Sequence, residues 1–181
     1  WQQTFHYFGL AGILYSLVLI AFLRENKSAY QTEATDKKHV GGIASVNEGF
    51  IKNCYNEGLI FFAKSINDFH FNNLAEIDNS NYGIGGLVGN NKGQLEYSYN
   101  KAKINAAINV GGLIGINKGE VTNCYNESKI QGYFFVGGLV GNNKSGSKIL
   151  DSYNNGQVIG TNYVGGILGS SCYSELKDIS N

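Results

Sequence analysis

The side chains that most often do chemistry are few and scattered in this sequence. Its histidines are His6, His39 and His70, and none forms the His-Glu-x-x-His pair that holds zinc on one face of a helix. No G-x-S-x-G nucleophile motif occurs. The stretch GNNKSGSK at Gly141 comes closest to a phosphate-binding loop, but Ser147 stands where that loop needs lysine. We therefore expect a protein that is not an enzyme, with no catalytic residue, no metal site and no cofactor.

Composition argues against a nucleic-acid partner. Acidic and basic residues balance at 14 each, and charged residues make up 15% of the chain, against about 25% in ordinary domains. There is no net positive charge to hold a phosphate backbone. Glycine is abundant, with 25 residues, and proline is absent. The absence of proline suits a structure in which few backbone N–H groups can be spared from hydrogen-bonded ladders.

An uncharged run, FHYFGLAGILYSLVLIAFL, occupies residues 5–23. As a helix it would be about 28 Å long, close to the hydrocarbon thickness of a bilayer. A secretory signal is the alternative, but the run lacks a basic start and a clear cleavage site. We predict a hydrophobic helix over 1–25, inserted in a membrane or buried in protein, followed by a polar linker over 26–39. The residues expected to mediate helix assembly or membrane contact are Phe8, Leu10, Ile13, Leu14, Leu17, Val18, Ile20 and Phe22.

The rest of the chain is repetitive. Double glycines begin at Gly41, Gly85, Gly111, Gly137 and Gly165, which indicates a unit of about 26 residues with an insert at about 61–82 in the first copy. Short apolar segments alternate with Gly and Asn-Lys-Gly clusters, a pattern typical of short strands joined by turns. The repeat predicts a right-handed parallel β-solenoid of about five rungs over 40–173, preceded by the N-terminal helix and followed by a polar tail over 174–181.

Superposing the copies aligns identical residues into columns. Stacked asparagines can hydrogen-bond along the solenoid axis and stacked tyrosines can pack face to face, as in other ladders of identical residues. We expect the tyrosines to face the core, since tyrosine often fills such cores; facing outward, they could bind carbohydrate. The asparagine column is Asn47, Asn91, Asn117 and Asn143, and the tyrosine column is Tyr55, Tyr99, Tyr125 and Tyr153.

The same register explains two of the three cysteines. Cys54 and Cys124 fall in one column with Ser98 and Ser152. Two rungs separate the two thiols by about 10 Å, which is beyond the reach of a disulfide. We expect both to be small buried residues that are interchangeable with serine, and Cys172 to be a free thiol.

The repeated pattern GG(L/I)(V/I)G, then N-x-G, then (S/C)-Y-N resembles the GLUG repeat over about residues 40–173. That repeat occurs in bacterial surface proteins, including adhesin-like proteins, and in non-catalytic regions of IgA-cleaving zinc peptidases. The resemblance implies a stalk or display surface. The first copy, GGIASVNEG, departs from the pattern because Ser45 replaces its third glycine.

The insert contains the one aromatic cluster that does not repeat. We interpret it as a candidate contact loop, with packing over the solenoid core as the alternative. Inserts in one rung often form the contact face of a solenoid. The residues of this candidate loop are Phe61, Phe62, Phe69, His70 and Phe71.

Together these features predict a non-catalytic structural protein of the cell surface, located outside the cell. In the favoured interpretation its helix packs into a pilus-like filament core and its solenoid is displayed outward; the N-terminal segment loosely resembles pilin-like subunits, although Phe5 stands where those carry glutamate. The alternatives are a membrane-anchored surface adhesin or stalk, and a stalk fragment of a larger surface peptidase. The expected partners are further copies of the chain through the helix, a ligand on a host or neighbouring cell, and the membrane.

Overall fold

The computed structural model describes residues 39–61 and 82–181, and every regular element in these ranges is a β-strand. All the described residues belong to one compact unit, Asp36–Asn181. Within them, no helix combines the length and the apolar character that crossing a bilayer requires. The helix predicted over 1–25 and nearly all of the linker predicted over 26–39 lie outside the described residues.

The strands form four sheets, labelled A to D in the order in which the chain visits them, and their pairings are parallel. Sheet A contains β1 (His39–Gly41), β6 (Gly83–Gly85), β11 (Ile108–Gly111), β16 (Phe134–Gly137) and β20 (Asn162–Gly165). Sheet B contains β2 (Ala44–Asn47), β7 (Val88–Asn91), β12 (Ile114–Asn117), β17 (Val140–Asn143) and β21 (Leu168–Ser171).

Sheet C has two rows of strands, which meet in the long strand β18. Its first row is β3 (Phe50–Lys52), β8 (Gln94–Glu96), β13 (Glu120–Thr122), β18 (Lys148–Asn154) and β22 (Glu175–Ser180), and its second is β4 (Tyr55–Asn56), β9 (Tyr99–Asn100) and β14 (Tyr125–Asn126). Sheet D contains β5 (Leu59–Phe61), β10 (Lys103–Asn105), β15 (Ile130–Gln131) and β19 (Val158–Ile159).

One pass through sheets A to D makes one rung, and each strand pairs with its counterpart one repeat later. Gly85, for example, pairs with Gly111, and Gly111 with Gly137. The predicted all-β parallel solenoid is confirmed. Three consecutive rungs are complete, over 83–159. They lie between a leading row, β1–β5, and a trailing row, β20–β22. The prediction of about five rungs is not confirmed. The trailing row has no strand in sheet D, and residues 62–81, which follow the leading row, lie outside the described residues.

The segment predicted as a polar tail over 174–181 is instead part of the solenoid. Glu175–Ser180 forms β22, which pairs in parallel with β18. Ile179 packs against the buried cluster between sheets B and C. The polar residues of this segment therefore occupy the outward-facing positions of a strand.

The core is divided into two main stripes. One lies between sheets B and C, the other between sheets A and D, and in each a rung contributes the same few aliphatic positions. The first stripe includes Leu87, Leu113, Leu139, Val88, Ile114, Val140, Leu95, Val121 and Ile149. The second includes Ile84, Val110, Val136, Ile60, Ile104 and Ile130.

The double glycines relieve crowding where strands of sheets A and B pass close together. A Cβ on Gly85 would overlap the Val88 carbonyl oxygen. The third glycine of the motif has the same role, because a Cβ on Gly115 would overlap the Ile84 backbone nitrogen. Among the described glycines only Gly146 has positive φ, at 81°. The left-handed corners use other residues instead, such as Asn53 and Asn123, both with φ of 54°. Asparagine tolerates this conformation because its short polar side chain can hydrogen-bond locally.

Candidate functional site

The predicted asparagine column is a continuous chain of buried amides at the corner between sheets B and C. Asn47 Nδ2 donates to Asn91 Oδ1 (2.8 Å), Asn91 Nδ2 to Asn117 Oδ1 (2.9 Å), and Asn117 Nδ2 to Asn143 Oδ1 (2.9 Å). All four side chains are buried. The amides also hold the corner, since Asn117 Oδ1 accepts the Gly119 N–H at 3.2 Å. We call these four residues the B–C amide ladder.

The B–C amide ladder ends where the repeat changes. Ser171 takes the asparagine position in the trailing row and bonds to Ser174 at 2.7 Å instead. Asn143 Nδ2 is consequently buried without a hydrogen-bond partner. Every amide Nδ2 in the column points toward the trailing row and every Oδ1 toward the leading row, so the ladder has a direction.

A second amide ladder runs along the corner between sheets C and D, at positions that were not among the predicted ladder residues. It is formed by the asparagine that follows each column tyrosine, and the repeated Tyr-Asn pair was the available signal. Within it, Nδ2 donates to the next Oδ1 from Asn100 to Asn126 (2.9 Å), Asn126 to Asn154 (2.8 Å) and Asn154 to Asn181 (2.7 Å). Asn56 begins the column, where its Nδ2 donates to the Gly86 carbonyl at 2.9 Å. We call it the C–D amide ladder.

The tyrosine column stacks as expected but faces the opposite way from the prediction. Ring centroids of Tyr55, Tyr99, Tyr125 and Tyr153 lie 5.2, 5.0 and 5.1 Å apart, with interplanar angles of 8° or less. The rings lie on the outer surface, with Tyr55 57% exposed. The correction follows from strand geometry: adjacent residues point to opposite faces, and the following asparagine takes the inner position.

The stack limits what the tyrosines can bind. Each inner ring has both faces covered by its neighbours, so only ring edges and hydroxyl groups line the surface. The Tyr99 hydroxyl donates to Glu57 Oε1 at 3.5 Å. Desolvation raises the pKa of Tyr99, with the Glu57 carboxylate adding to the effect. Sugar binding by flat stacking on a ring, which the sequence left open, would have to use a terminal ring of the stack: Tyr55, or Tyr153, whose next partner in register is Ser180.

The cysteine and serine column is structural. Cys124 is fully buried as predicted, but Cys54, which was also expected to be buried, is half-buried because it lies in the leading row; Cys172 is exposed, and all three thiols are free. Ser98 Oγ accepts the Cys54 N–H and Ser152 Oγ accepts the Cys124 N–H, both at 3.1 Å. Burial raises the pKa of the Cys124 thiol to about 12. This thiol is therefore protonated and poorly nucleophilic at neutral pH.

Charged side chains pair between neighbouring rungs along the surface. Lys92 meets Glu48 at 2.6 Å and Lys148 meets Glu175 at 3.6 Å. These pairs border an open groove of about 440 Å³ over the glycines of the B–C corner. Because its lining carries charges of both signs, Glu48 and Glu120 with Lys92 and Lys148, the groove does not present the single-sign surface that an ionic ligand would require.

No group of three or more metal-ligating side chains occurs within 39–61 and 82–181. His39 lies in β1, where its Nε2 is 3.3 Å from Asn90 Nδ2. Burial, and then the nearby Lys118 and Lys92, lower the pKa of His39. The phosphate-loop-like stretch forms β17 and the following corner, where Ser147 Oγ donates to the Lys144 carbonyl. His6 and His70 lie outside the described residues.

A further buried amide pair lies between sheets A and B, with no signal in the repeat pattern. Asn109 Nδ2 donates to the Tyr82 carbonyl at 2.7 Å, and Asn142 Nδ2 donates to Asn109 Oδ1 at 3.2 Å. Neither asparagine has an asparagine at the same position in the adjacent rungs. Aligning the repeats could therefore not identify the pair.

The remaining predicted site residues are mostly outside the described part of the chain. Of the candidate contact loop, Phe61 lies in β5 and is 64% exposed. Phe62, Phe69, His70 and Phe71 lie outside the described residues, as do the helix positions Phe8, Leu10, Ile13, Leu14, Leu17, Val18, Ile20 and Phe22. Their roles stay predictions.

The family model for the GLUG motif matches residues 106–131. The chain carries a GLUG repeat. The matched residues correspond to one complete rung, β11–β15. No curated protein and no solved structure matches the chain. The GLUG repeat and the parallel β-solenoid together are those of a structural repeat protein.

Proposed function

We propose that this chain is a non-catalytic structural protein of the cell surface, in which the solenoid is a rigid spacer and display surface. The observation that carries the proposal is the pair of amide ladders running along the axis. Together with the tyrosine stack, they join each rung to the next through side chains as well as backbone. Buried polar networks rigidify a fold where their hydrogen bonds are made, as they are from Asn47 to Asn117 and from Asn100 to Asn154. We therefore assign the stacked asparagines and tyrosines a structural role.

We further propose that residues 5–23 attach this spacer to an assembly. The run is uncharged and long enough to span an apolar layer as a helix. In the favoured arrangement, helices of many copies pack into the core of a pilus-like filament, with Leu14 and Leu17 among the contacting residues. The solenoids would then cover the filament surface outside the cell, where they could meet a host or neighbouring-cell ligand.

Two alternatives use the same features. The helix could instead anchor a single stalk or adhesin in a membrane, because an apolar run of this length serves either purpose. The solenoid could also be the stalk of a larger surface peptidase, which a His-Glu-x-x-His motif elsewhere in the same gene would support.

The deciding experiment is electron microscopy of material sheared from producing cells without detergent, with antibody labelling of the solenoid. Regular labelled filaments are expected. The variant Leu14→Lys/Leu17→Lys should abolish them, because buried unpaired ammonium groups are costly in an apolar core. As matched control, Lys129→Ala on the exposed solenoid surface should leave them intact.

The other outcomes are equally informative. Chain that stays in the membrane pellet until detergent is added, with no filaments, would refute the filament core and support the membrane anchor. Chain that is released into the soluble fraction without filaments would refute both attachments. Immunoblots of total chain must show equal amounts of each variant for the comparison to count.

A further inference from the structure

The two ends of the solenoid are complementary, and we propose that copies of the chain stack end to end, with the leading row of one copy on the trailing row of the next. The contact joins two different surfaces of the same chain. Because each copy would be displaced along the solenoid axis from the one before it, this contact between unlike surfaces would not close into a ring and would generate an open filament. This inference goes beyond the proposed function and does not depend on the N-terminal helix.

The C–D amide ladder supplies the first complementarity. At the leading row, Asn56 Oδ1 accepts the Gly58 N–H at 3.0 Å and can accept a second hydrogen bond. In the trailing row, Asn181 Oδ1 accepts Asn154 Nδ2. Following the direction of the ladder, Asn181 Nδ2 points away from Asn154, beyond the last described strand. One end therefore presents an amide donor and the other an acceptor in the same column.

The apolar columns are also complementary. Valine or isoleucine occupies both ends of the column that runs from Val40 to Val164, and of the column from Ile43 to Ile167. Ile43 is 44% exposed and Val164 is 43% exposed, whereas their counterparts in the complete rungs are buried. Stacking would bury these side chains as the inner rungs do.

The backbone favours the same register. At the B–C corner, the first residue after the sheet B strand donates its N–H to a carbonyl of the preceding row. The Lys92 N–H donates to the Asn47 carbonyl (2.8 Å), and the pattern continues to the Cys172 N–H, which donates to the Asn143 carbonyl (3.1 Å). The Glu48 N–H is the next donor in this column, at the leading end. In a stack it would meet the Ser171 carbonyl of the preceding copy. Exposed strand edges of this kind readily pair with another chain.

One column opposes the contact. Lys177 in the trailing row and Lys52 in the leading row occupy the same column. The residues between them in this column are Leu150, Thr122 and Glu96. The stack would bring these two ammonium groups one rung apart. Asp178 lies 3.8 Å from Lys177 and offsets part of the repulsion. Lys177→Glu should therefore strengthen stacking, because it places a carboxylate against Lys52.

Cysteine cross-linking tests the register directly. In the stack, residue 48 of one copy lies one rung, about 4.8 Å, from Cys172 of the preceding copy. The test uses the full chain carrying Cys54→Ser, a residue already present in that column, together with Glu48→Cys. A short bifunctional maleimide should then yield a ladder of covalent dimers, trimers and longer chains. Mass spectrometry should find residue 48 linked to residue 172.

The matched control is Lys129→Cys in the same Cys54→Ser background, because residue 129 is exposed in the middle of the solenoid, away from both ends. Any linkage there reports side-by-side association, including association through the N-terminal segment. The ladder from Glu48→Cys should exceed it at least about tenfold, which corresponds to about 1.4 kcal/mol of preference. Equal linkage in the two variants would overturn the proposal.

Two further variants test the contact without relying on a folding-sensitive residue. Added to Glu48→Cys, the exposed change Lys177→Glu should raise cross-linking several-fold, while Val164→Asp should lower it by about tenfold through an unpaired carboxylate at the junction. Circular dichroism must match the parent in each case. Unchanged linkage in both would refute this register. Adding Leu14→Lys/Leu17→Lys should leave the ladder unchanged, which separates this inference from the proposed filament core.

Discussion

Replacing Asn117 by alanine interrupts the B–C amide ladder at its centre. Asn117 is buried, donates to Asn143 Oδ1 and accepts from Asn91 Nδ2, both at 2.9 Å. Its removal leaves Asn143 Oδ1 buried without a donor, which costs about 1–3 kcal/mol. Three further hydrogen bonds of the Asn117 side chain are lost, one with Asn91 Nδ2 and two with the Gly119 backbone, worth about 1 kcal/mol each. The free energy of unfolding should therefore fall by about 4–6 kcal/mol.

The assay is urea unfolding of the full chain followed by circular dichroism, with linear extrapolation to water. Asn155→Ala is the matched control, because this exposed asparagine lies beside the C–D amide ladder and surface changes usually stay within about 0.5 kcal/mol. A loss below about 1 kcal/mol for Asn117→Ala would refute the reasoning, because water or neighbouring groups would then satisfy the freed amides.

The variant Asn117→Asp separates hydrogen bonding from packing. Its carboxylate has nearly the same shape and can accept from Asn91, but it cannot donate to Asn143 Oδ1. Burial of the ionised group should raise its pKa above the unfolded value of about 3.9. Stability should therefore be low at pH 7 and should recover as pH falls through the folded pKa toward the unfolded one. A pH-independent loss would indicate a packing effect instead.

Three further predictions concern single positions. At the left-handed corner, Asn123→Ala should lower the free energy of unfolding in urea by about 1 kcal/mol, because a Cβ without a local hydrogen bond is strained at positive φ. Asn123→Gly should lower it by no more than a few tenths of a kcal/mol, because glycine adopts this backbone without strain; equal losses for the two variants would contradict this. Under native conditions at pH 8, maleimide should label Cys172 and spare Cys124 until urea is added, as mass spectrometry would show; early labelling of Cys124 would place it outside the core. Because the Cys124 pKa rises from its ordinary 9.0 to about 12 on folding, the folded state binds more protons between these values and stability should fall as pH rises from about 9. Urea unfolding at pH 8 and 10 should show a smaller fall for Cys124→Ser, and an identical fall would contradict the assigned pKa.

The repeat and its strands were predictable because they depend on short-range sequence features. A period of 26 residues brings Tyr99 opposite Tyr125 and Asn91 opposite Asn117. Once the rungs pair in parallel, identical residues must stack, whatever the rest of the molecule does. The likeness to the GLUG repeat followed from the same columns.

The direction in which the columns face was not predictable. In the two-residue strands Tyr99–Asn100 and Tyr125–Asn126, one residue points in and one points out. A shift of one residue exchanges the two faces. The corner before each strand decides this, and the sequence does not indicate that corner's geometry.

The strand at 175–180 illustrates the same limit. Its inward residues, Leu176 and Ile179, are three apart, because Asp178 has φ of 49° and turns the chain between them. A simple alternation of apolar and polar residues is therefore absent, and the segment resembles a polar tail. Its counterpart in β18 has the same turn at Asp151.

By itself the sequence determined the repeat length, the parallel stacking of identical residues and the scarcity of catalytic groups, since these follow from residue type and spacing. Only the tertiary structure decided that the tyrosines lie outside, that Asn100 and Asn126 are joined in a second ladder, and that residues 175–180 pair as a strand with β18. These depend on the backbone conformation at the corners, where a single left-handed residue reorients every side chain that follows.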